Sequence, residues 1–411
     1  MNAPLSALPP YKTVAAALRK TTEVLAREVV RSSESAPDWN ELEWAIARSV
    51  AAMQGITALL ESRLRWSGPP SWQSFLAQQR EQSRLRAALI GELLERIDSA
   101  TRDAGLTCVT LKGSAIRALD IYAPGERPMG DVDLLVSPTD TDAAAAVMRL
   151  LDYEPTSVVA RHAAYEPRSR RAPGGLGERA ENPVPIEVHT VVAERLPVDM
   201  VDITPRLRPA HPRPGLNPYP SLAALLLHLL LHAAGNMKVH ALRQIQLHDL
   251  ALLMERLDDS DWRDLIETAS TRDGLWWAYP PIALTLRYYD CAVPPELRRA
   301  LRSSCPLILR GVSERHDLTD VSWSNLRISA FPGIAWSRSP ADVLWYARSR
   351  ALPDRDTVEL ARAALEHQPQ MRQVRWYQIS QGRRIARWLL SRPPRVQTIT
   401  SVAAALRHPE M

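Results

Sequence analysis

The chain has 411 residues, 45% of them hydrophobic and 24% charged, with a net charge of +5; it is long enough for two or three packed units, and its composition excludes a fibrous or wholly disordered protein. Three widely spaced cysteines, Cys108, Cys291 and Cys305, fit neither a disulfide framework nor a paired zinc pattern. The longest apolar run, Leu222 to Leu231, is interrupted by His228 and falls well short of the roughly 18 residues of a membrane span, and the opening Met-Asn-Ala-Pro-Leu-Ser lacks the pattern of a secretory signal, so a cytoplasmic protein without membrane contact is expected.

Residues 14–32, 41–65 and 72–104 repeat apolar residues every three or four positions with charges between them, which predicts amphipathic helices. Leu106-Thr-Cys-Val-Thr-Leu111 is short and rich in β-branched residues, as a strand is; it runs into Lys112-Gly113-Ser114, after which 115–122 predicts a helix. A second strand is expected over 132–136, followed by a helix to Leu151 with Ser137 as its N-cap and Pro138 at its first position. Ser157 to Tyr165 reads as a strand, 168–185 as a surface loop, and Pro185-Ile-Glu-Val-His-Thr190 as a third strand. Beyond a proline-rich connector at 205–220 the pattern is helical. Ser221 to Ala234, ended by Gly235, is apolar all round and predicts a core helix; others are expected at 239–257, 260–272, 277–290, 294–303, 340–350, 355–366 and 371–391.

The chemistry concentrates between these helical regions. Successive strand residues alternate faces, so Asp131 and Asp133 project to one side about 7 Å apart, with Leu134-Leu135-Val136 anchoring the strand behind them. Two carboxylates on one face repel unless a cation lies between them, and rigid oxygen ligands with room for phosphate suit hard divalent cations. Glu187, flanked by Ile186 and Val188, can supply a third carboxylate to that face. Three acids in this pattern could hold two Mg²⁺ ions, with Mn²⁺ the alternative. Gly113-Ser114 lies where a strand turns into a helix, a place where backbone N–H groups meet phosphate, and Lys112 and Arg127 could add charge. Only four of the 51 basic residues are lysine, which leaves 47 arginines and makes a lysine at this turn informative. His189 points to the same face as Glu187 and suits either a nucleotide contact or a structural role.

The order of these motifs, Leu111-Lys-Gly-Ser114, then Arg127-Pro-Met-Gly-Asp-Val-Asp-Leu-Leu-Val136, then Ile186-Glu-Val-His189, resembles the nucleotidyltransferase superfamily that includes DNA polymerase beta. More narrowly, residues 85–255 resemble a bacterial family of uncharacterised nucleotidyltransferases. One departure is the spacing: 16 residues separate Ser114 from Asp131, more than that superfamily usually has, so an added loop is expected at 123–130. The resemblance implies an α+β fold with a small mixed-sheet nucleotidyltransferase core (105–205), flanked by an N-terminal helical region (1–104) and a C-terminal helical domain (206–411). It implies an enzyme that moves a nucleoside monophosphate from an NTP, ATP for example, to a hydroxyl or similar acceptor with release of pyrophosphate. Asp131, Asp133 and Glu187 would be the metal-binding and catalytic acids, and Lys112, Gly113, Ser114, Arg127 and His189 the nucleotide-binding residues. The acceptor could be a peptide, a protein, tRNA or a small molecule. The same residues also suit a nucleotide-sugar or other diphosphate donor, or a nucleotide-binding module without turnover.

Three further features have structural and functional readings. His228 and His232 stand one helical turn apart, as zinc-binding pairs do, but also as packed core histidines do. Asp249 suits ordering of the nucleotide pocket or packing. The segment from Arg372 to Arg395, with Trp376, Tyr377 and Trp388 interleaved, suits RNA or a solvated amphipathic helix.

Overall fold

The computed structural model describes residues 8–159, 161–169, 175–271, 274–324, 326, 333–353, 380, 382–383, 385–386, 390 and 395–407. No helix among them is long and apolar enough to cross a membrane. The helix expected at 355–366 and most of that at 371–391, with Arg372, Trp376, Tyr377 and Trp388, lie outside the described residues.

The first helix is α1 (Tyr11–Val30). The stretch expected as one helix over 41–65 is two, α2 (Glu41–Met53) and α3 (Thr57–Arg63), because Gly55 between them takes a left-handed φ of +69° that ends the ladder. Asn40 caps α2 reciprocally: its Oδ1 accepts from the Glu43 N–H and the Glu43 carboxylate accepts from its own N–H. The long α4 (Pro70–Asp103) then leads to the sheet.

The strands are β1 (Thr107–Thr110), β2 (Val132–Leu135), β3 (Tyr153–Val159), β4 (His162–Pro167), β5 (Ile186–His189), β6 (Ala193–Leu196), β7 (Asp199–Asp202) and β8 (Gly215–Asn217). Six of them form a mixed sheet in the order β3-β4-β5-β2-β1-β8, while β6 and β7 form a separate hairpin. The fold is α+β. Strand β2 runs antiparallel to β1 and parallel to β5, with Asp133 in register with Glu187. Where one strand was expected over 157–165, a hairpin of β3 and β4 forms, since the chain reverses between 159 and 162. The connector at 205–220 supplies β8, which joins β1 in parallel.

Alternation divides the sheet. Val132, Leu134, Ile186 and Val188 pack with Ile90, Leu93 and Ile97 of α4 and with Val147 and Met148 of α6 (Thr141–Leu150). Val109 and Leu135 point the other way, into the cluster of the C-terminal helices, so Asp133 and Glu187 face that side. Before α6 the chain makes a 3₁₀ turn at Pro138–Asp140, and Ser137 bonds Thr139 rather than capping the helix as expected. Between them α5 (Lys112–Ala118) follows β1, and the short α7 (Thr204–Leu207) follows β7.

The core helix is α8 (Leu222–Lys238), capped by Ser221. It does not stop at Gly235; the glycine stays helical and makes room for Glu194 of β6, whose carboxylate carbon would lie 2.7 Å from an added Cβ. After a turn in which His240 has φ +56°, α9 (Gln244–Met254) follows, then α10 (Asp259–Ala269), α11 (Tyr279–Tyr288), α12 (Pro295–Ser304), α13 (Leu307–Ser313), α14 (Leu318–Ser322), α15 (Pro340–Ala351) and α16 (Thr400–Arg407). Val402 and Leu406 of α16 are buried with Leu18 of α1 and Ile46 and Val50 of α2.

Candidate active site

Strand β1 ends in a turn fastened to β2, where the Leu111 N–H donates to the Asp133 carbonyl at 2.9 Å. Lys112 then adopts φ +45°, a left-handed conformation that costs a non-glycine residue about 1–2 kcal/mol. Two bonds hold it there: its N–H donates to Tyr219 Oη at 3.2 Å, and its Nζ donates to Asp133 Oδ1 at 2.9 Å. Tyr219 Oη in turn lies 2.6 Å from His228 Nδ1, so its hydrogen is free to bond that ring nitrogen.

Gly113 is required by the space beneath it. An added Cβ would come within 2.8 Å of Arg127 Nη1, and that guanidinium is fixed by a bidentate pair with Asp249, Nε to Oδ1 at 2.7 Å and Nη2 to Oδ2 at 2.8 Å. Tyr122 Oη also donates to Asp249. Arg127 therefore sits under the turn as a buried brace. Ser114 Oγ is buried without a hydrogen-bond partner among the described residues, an unsatisfied group that costs about 1–3 kcal/mol if left so.

Asp133 is 3% exposed, and its Oδ1 is shared by Lys112 Nζ and His189 Nε2, each at 2.9 Å. His189 Nε2 is also 3.4 Å from Glu187 Oε2. Burial alone would raise Asp133, but the Lys112 charge and the His189 bond outweigh it and hold the carboxyl below the usual range. Glu187 is likewise lowered, by its bond to His189 against burial and the charge of Asp133. Burial would lower His189, yet its bonds to Asp133 and Glu187 raise it. Lys112 is also raised, because Asp133 overcomes burial. The ligand atoms of Asp133, Glu187 and His189 all lie within 4.8 Å of one another, so these three could hold a metal ion. Asp131 stands just ahead of β2 and outside that set. Its carboxyl is pushed up by burial and by Asp133, with Lys112 opposing.

Several contributors were not legible beforehand. Arg86 of α4 is buried and bonds the carbonyls of Met129 (2.8 Å) and Gly130 (2.9 Å), just ahead of Asp131, and of Asn182 (2.7 Å), ahead of β5. The stretch after 175, expected as a surface loop, is docked on α4: Gln79 accepts from the Glu178 N–H and Gln82 from the Ala180 N–H. His162 pairs in register with His189, their rings 5.3 Å apart. Tyr219 completes the group. Isolated tyrosines, histidines and arginines carry no spacing signal of their own.

His228 and His232 do not converge on a shared ligand: one meets Tyr219, while His232 Nε2 lies 3.1 Å from Asn236, and no third ligand joins them among the described residues. Burial pushes His232 down to about 3. Residues 40–285 match the family described as uncharacterised nucleotidyltransferase. Among curated proteins and solved structures, none matches the chain.

Proposed function

The chain belongs to the uncharacterised nucleotidyltransferase family and is a transferase, and from that premise we propose that it moves a nucleoside monophosphate from an NTP to a hydroxyl acceptor, releasing pyrophosphate. The observation that carries this reading is the register of β2 with β5, which sets Asp133 opposite Glu187 on one sheet face beside His189 and Lys112. The donor set suits a divalent cation: two carboxylates and an imidazole, all within 4.8 Å. Asp133, Glu187 and His189 would hold one ion, and Asp131 extends the acidic surface toward a second. Bound Mg²⁺, or Mn²⁺, which accepts an imidazole ligand more readily, would neutralise the triphosphate and make the acceptor hydroxyl more acidic.

The protein's own groups divide the remaining work. Ser114 Oγ, which has no partner among the described residues, offers a donor to a phosphate oxygen above Gly113. Lys112 stabilises negative charge at Asp133 and would shift toward the substrate once that carboxylate holds the ion, while His189 would stay beside it as a ligand. Glu187, the more exposed acid at 32%, orients the acceptor. The acceptor oxygen forms a bond to the α-phosphorus as the bond from that phosphorus to the bridging oxygen breaks. The electron pair leaves on pyrophosphate, and the hydroxyl proton passes by way of Glu187 to water. Arg127 acts from below by holding Gly113 and Asp249 in place.

The test is incorporation of label from an α-labelled NTP in the presence of Mg²⁺. Asp133→Asn is expected to abolish it while the protein stays folded by circular dichroism. A folded variant with undiminished incorporation would overturn the reading.

A further inference from the structure

Around the acids most charges are already paired. Lys112 meets Asp133 at 2.9 Å, Arg127 meets Asp249 at 2.7 Å, and Arg86 lies 3.3 Å from Glu178. Arg243 is different. It is exposed, and its guanidinium has no hydrogen bond or ion pair among the described residues. Yet the start of α9 lies against the segment that leads to Asp131, since an added Cβ at Gly55 would meet Ile245 at 3.1 Å and Pro128 at 3.5 Å, and Arg127, Asp131, Asp249 and Glu178 are near enough for their charges to act on Arg243. It also acts on Asp131 and on His232. Two of its three acidic neighbours have arginine partners, and Asp131 is the acid that a cation would claim.

The backbone that carries Arg243 is rigid. The Leu242 N–H donates to the Val321 carbonyl (3.0 Å), the Arg243 N–H to Gln246 Oε1 (2.9 Å), and the Gln244 N–H to Gln54 Oε1 (2.7 Å). Asp249, two turns further along α9, fastens the same helix to Arg127 beneath Gly113. A rigid backbone that carries an unpartnered planar fork leaves that fork available for bidentate recognition of a phosphate.

Resting on the nucleotidyltransferase reading, we infer that Arg243 grips the non-transferred phosphates of the donor, so that β- and γ-phosphate lie between it and the Lys112 turn. Lys112 would then serve the Asp133 side of the triphosphate and Arg243 the Asp131 side. The residue would select triphosphates over monophosphates and hold the leaving pyrophosphate.

The experiment measures equilibrium binding of each ribonucleoside tri- and monophosphate to the full chain with Mg²⁺, for the wild type, Arg243→Ala and Arg243→Lys. Thermal melting serves as the fold check. Loss of one bidentate phosphate contact is expected to weaken triphosphate binding about tenfold, with monophosphate binding changed less than about twofold. Arg243→Lys is expected to recover part of the loss, and pyrophosphate should compete with NTP much less well in Arg243→Ala. A folded Arg243→Ala that binds NTP like the wild type, or that weakens tri- and monophosphate equally, overturns this inference and leaves the proposed reaction standing. A wild type that binds no NTP overturns both. Binding without turnover in the wild type removes the reaction while the role of Arg243 is still decided by the same comparison.

Discussion

Arg86 joins two segments that lie far apart in the chain. Its side chain is 5% exposed, and its donors meet carbonyls on both sides of the acidic face, at Met129 and Gly130 before Asp131 and at Asn182 before Glu187. Removing it leaves several buried acceptors unsatisfied, so Arg86→Ala is expected to lower the unfolding free energy by about 3–5 kcal/mol, read from urea denaturation. Arg86→Lys keeps the charge but has no planar fork to span both segments. It is expected to stay folded and lose about 10- to 100-fold in turnover, as outer-shell changes at metal sites do; wild-type turnover in that variant would show that the acids find their geometry without the brace. At this scale legibility follows the range of the interaction. Asp133 and Glu187 are visible because strand alternation and apolar flanks are local facts. Arg86, Tyr219 and His162 act through space on residues 27 to 107 positions away, and a single sequence does not register such pairs. Arg127 shows the intermediate case: its place in the motif is legible, but its commitment to Asp249, 122 residues on, is not.

Among the elements, two glycines separate space from propensity. Gly91 lies inside α4, and an added Cβ would meet only Arg117 Nη2 at 2.7 Å, the far end of an exposed side chain that can move. Gly91→Ala should therefore gain about 1 kcal/mol from helix propensity. The same change at Gly113 in α5 meets Arg127 Nη1 at 2.8 Å and Met129 Cε at 3.3 Å. Arg127 cannot yield without breaking its pair with Asp249, so Gly113→Ala is expected to cost about 1–3 kcal/mol and to weaken nucleotide binding. Thermal melting of the two variants should move in opposite directions; a Gly113→Ala protein as stable as the wild type would contradict the close approach. The sequence pattern located α1 and α4 because each buries a regular stripe, and β1, β2 and β5 because each is a run of apolar or β-branched residues beside a motif. It missed β6, β7 and β8, whose Ala-Glu-Arg-Leu, Asp-Met-Val-Asp and Gly-Leu-Asn hold few apolar residues, and it placed the end of α8 at Gly235, where the glycine answers a neighbour rather than a helix terminus.

For the molecule as a whole, what the chain does not spell out is how the helical parts close on the sheet. Ile245 of α9, Trp323 and the residues of α16 share one core with α1 and α2, contacts that no local pattern encodes. The same closure buries imidazoles, and their titration sets the acid limit of the fold. His248 is 2% exposed, lies between the rings of Tyr122 and Tyr289 at 5.6 and 5.5 Å, and neither of its nitrogens has a partner among the described residues. Burial pushes His248 and His232 down to about 3 and lowers His228 as well. In the unfolded chain each returns to about 6.5. Between those values the unfolded state binds more protons than the folded one, so stability falls as pH drops below about 6.5, by up to about 1.4 kcal/mol per pH unit for each such histidine. His189 has the opposite sign: its pKa is raised by its bonds to Asp133 and Glu187 against burial, so its contribution is complete below 6.5 and is lost as pH rises through the higher folded value. Burial lowers His162 as well, so four depressed histidines stand against one raised; the carboxyls of Asp131, Glu178 and Glu194, which burial raises, oppose them at the acid end. Urea midpoints are expected to decline steeply from pH 7 to pH 5, and a midpoint that stays level or rises would refute the assignment. His248→Phe keeps a ring between Tyr122 and Tyr289, removes two nitrogens that have no partner among the described residues and takes away one of the four depressed titrations. It should therefore flatten the decline, and its advantage over the wild type should be largest at pH 5, where the native imidazole resists the proton that the unfolded chain accepts.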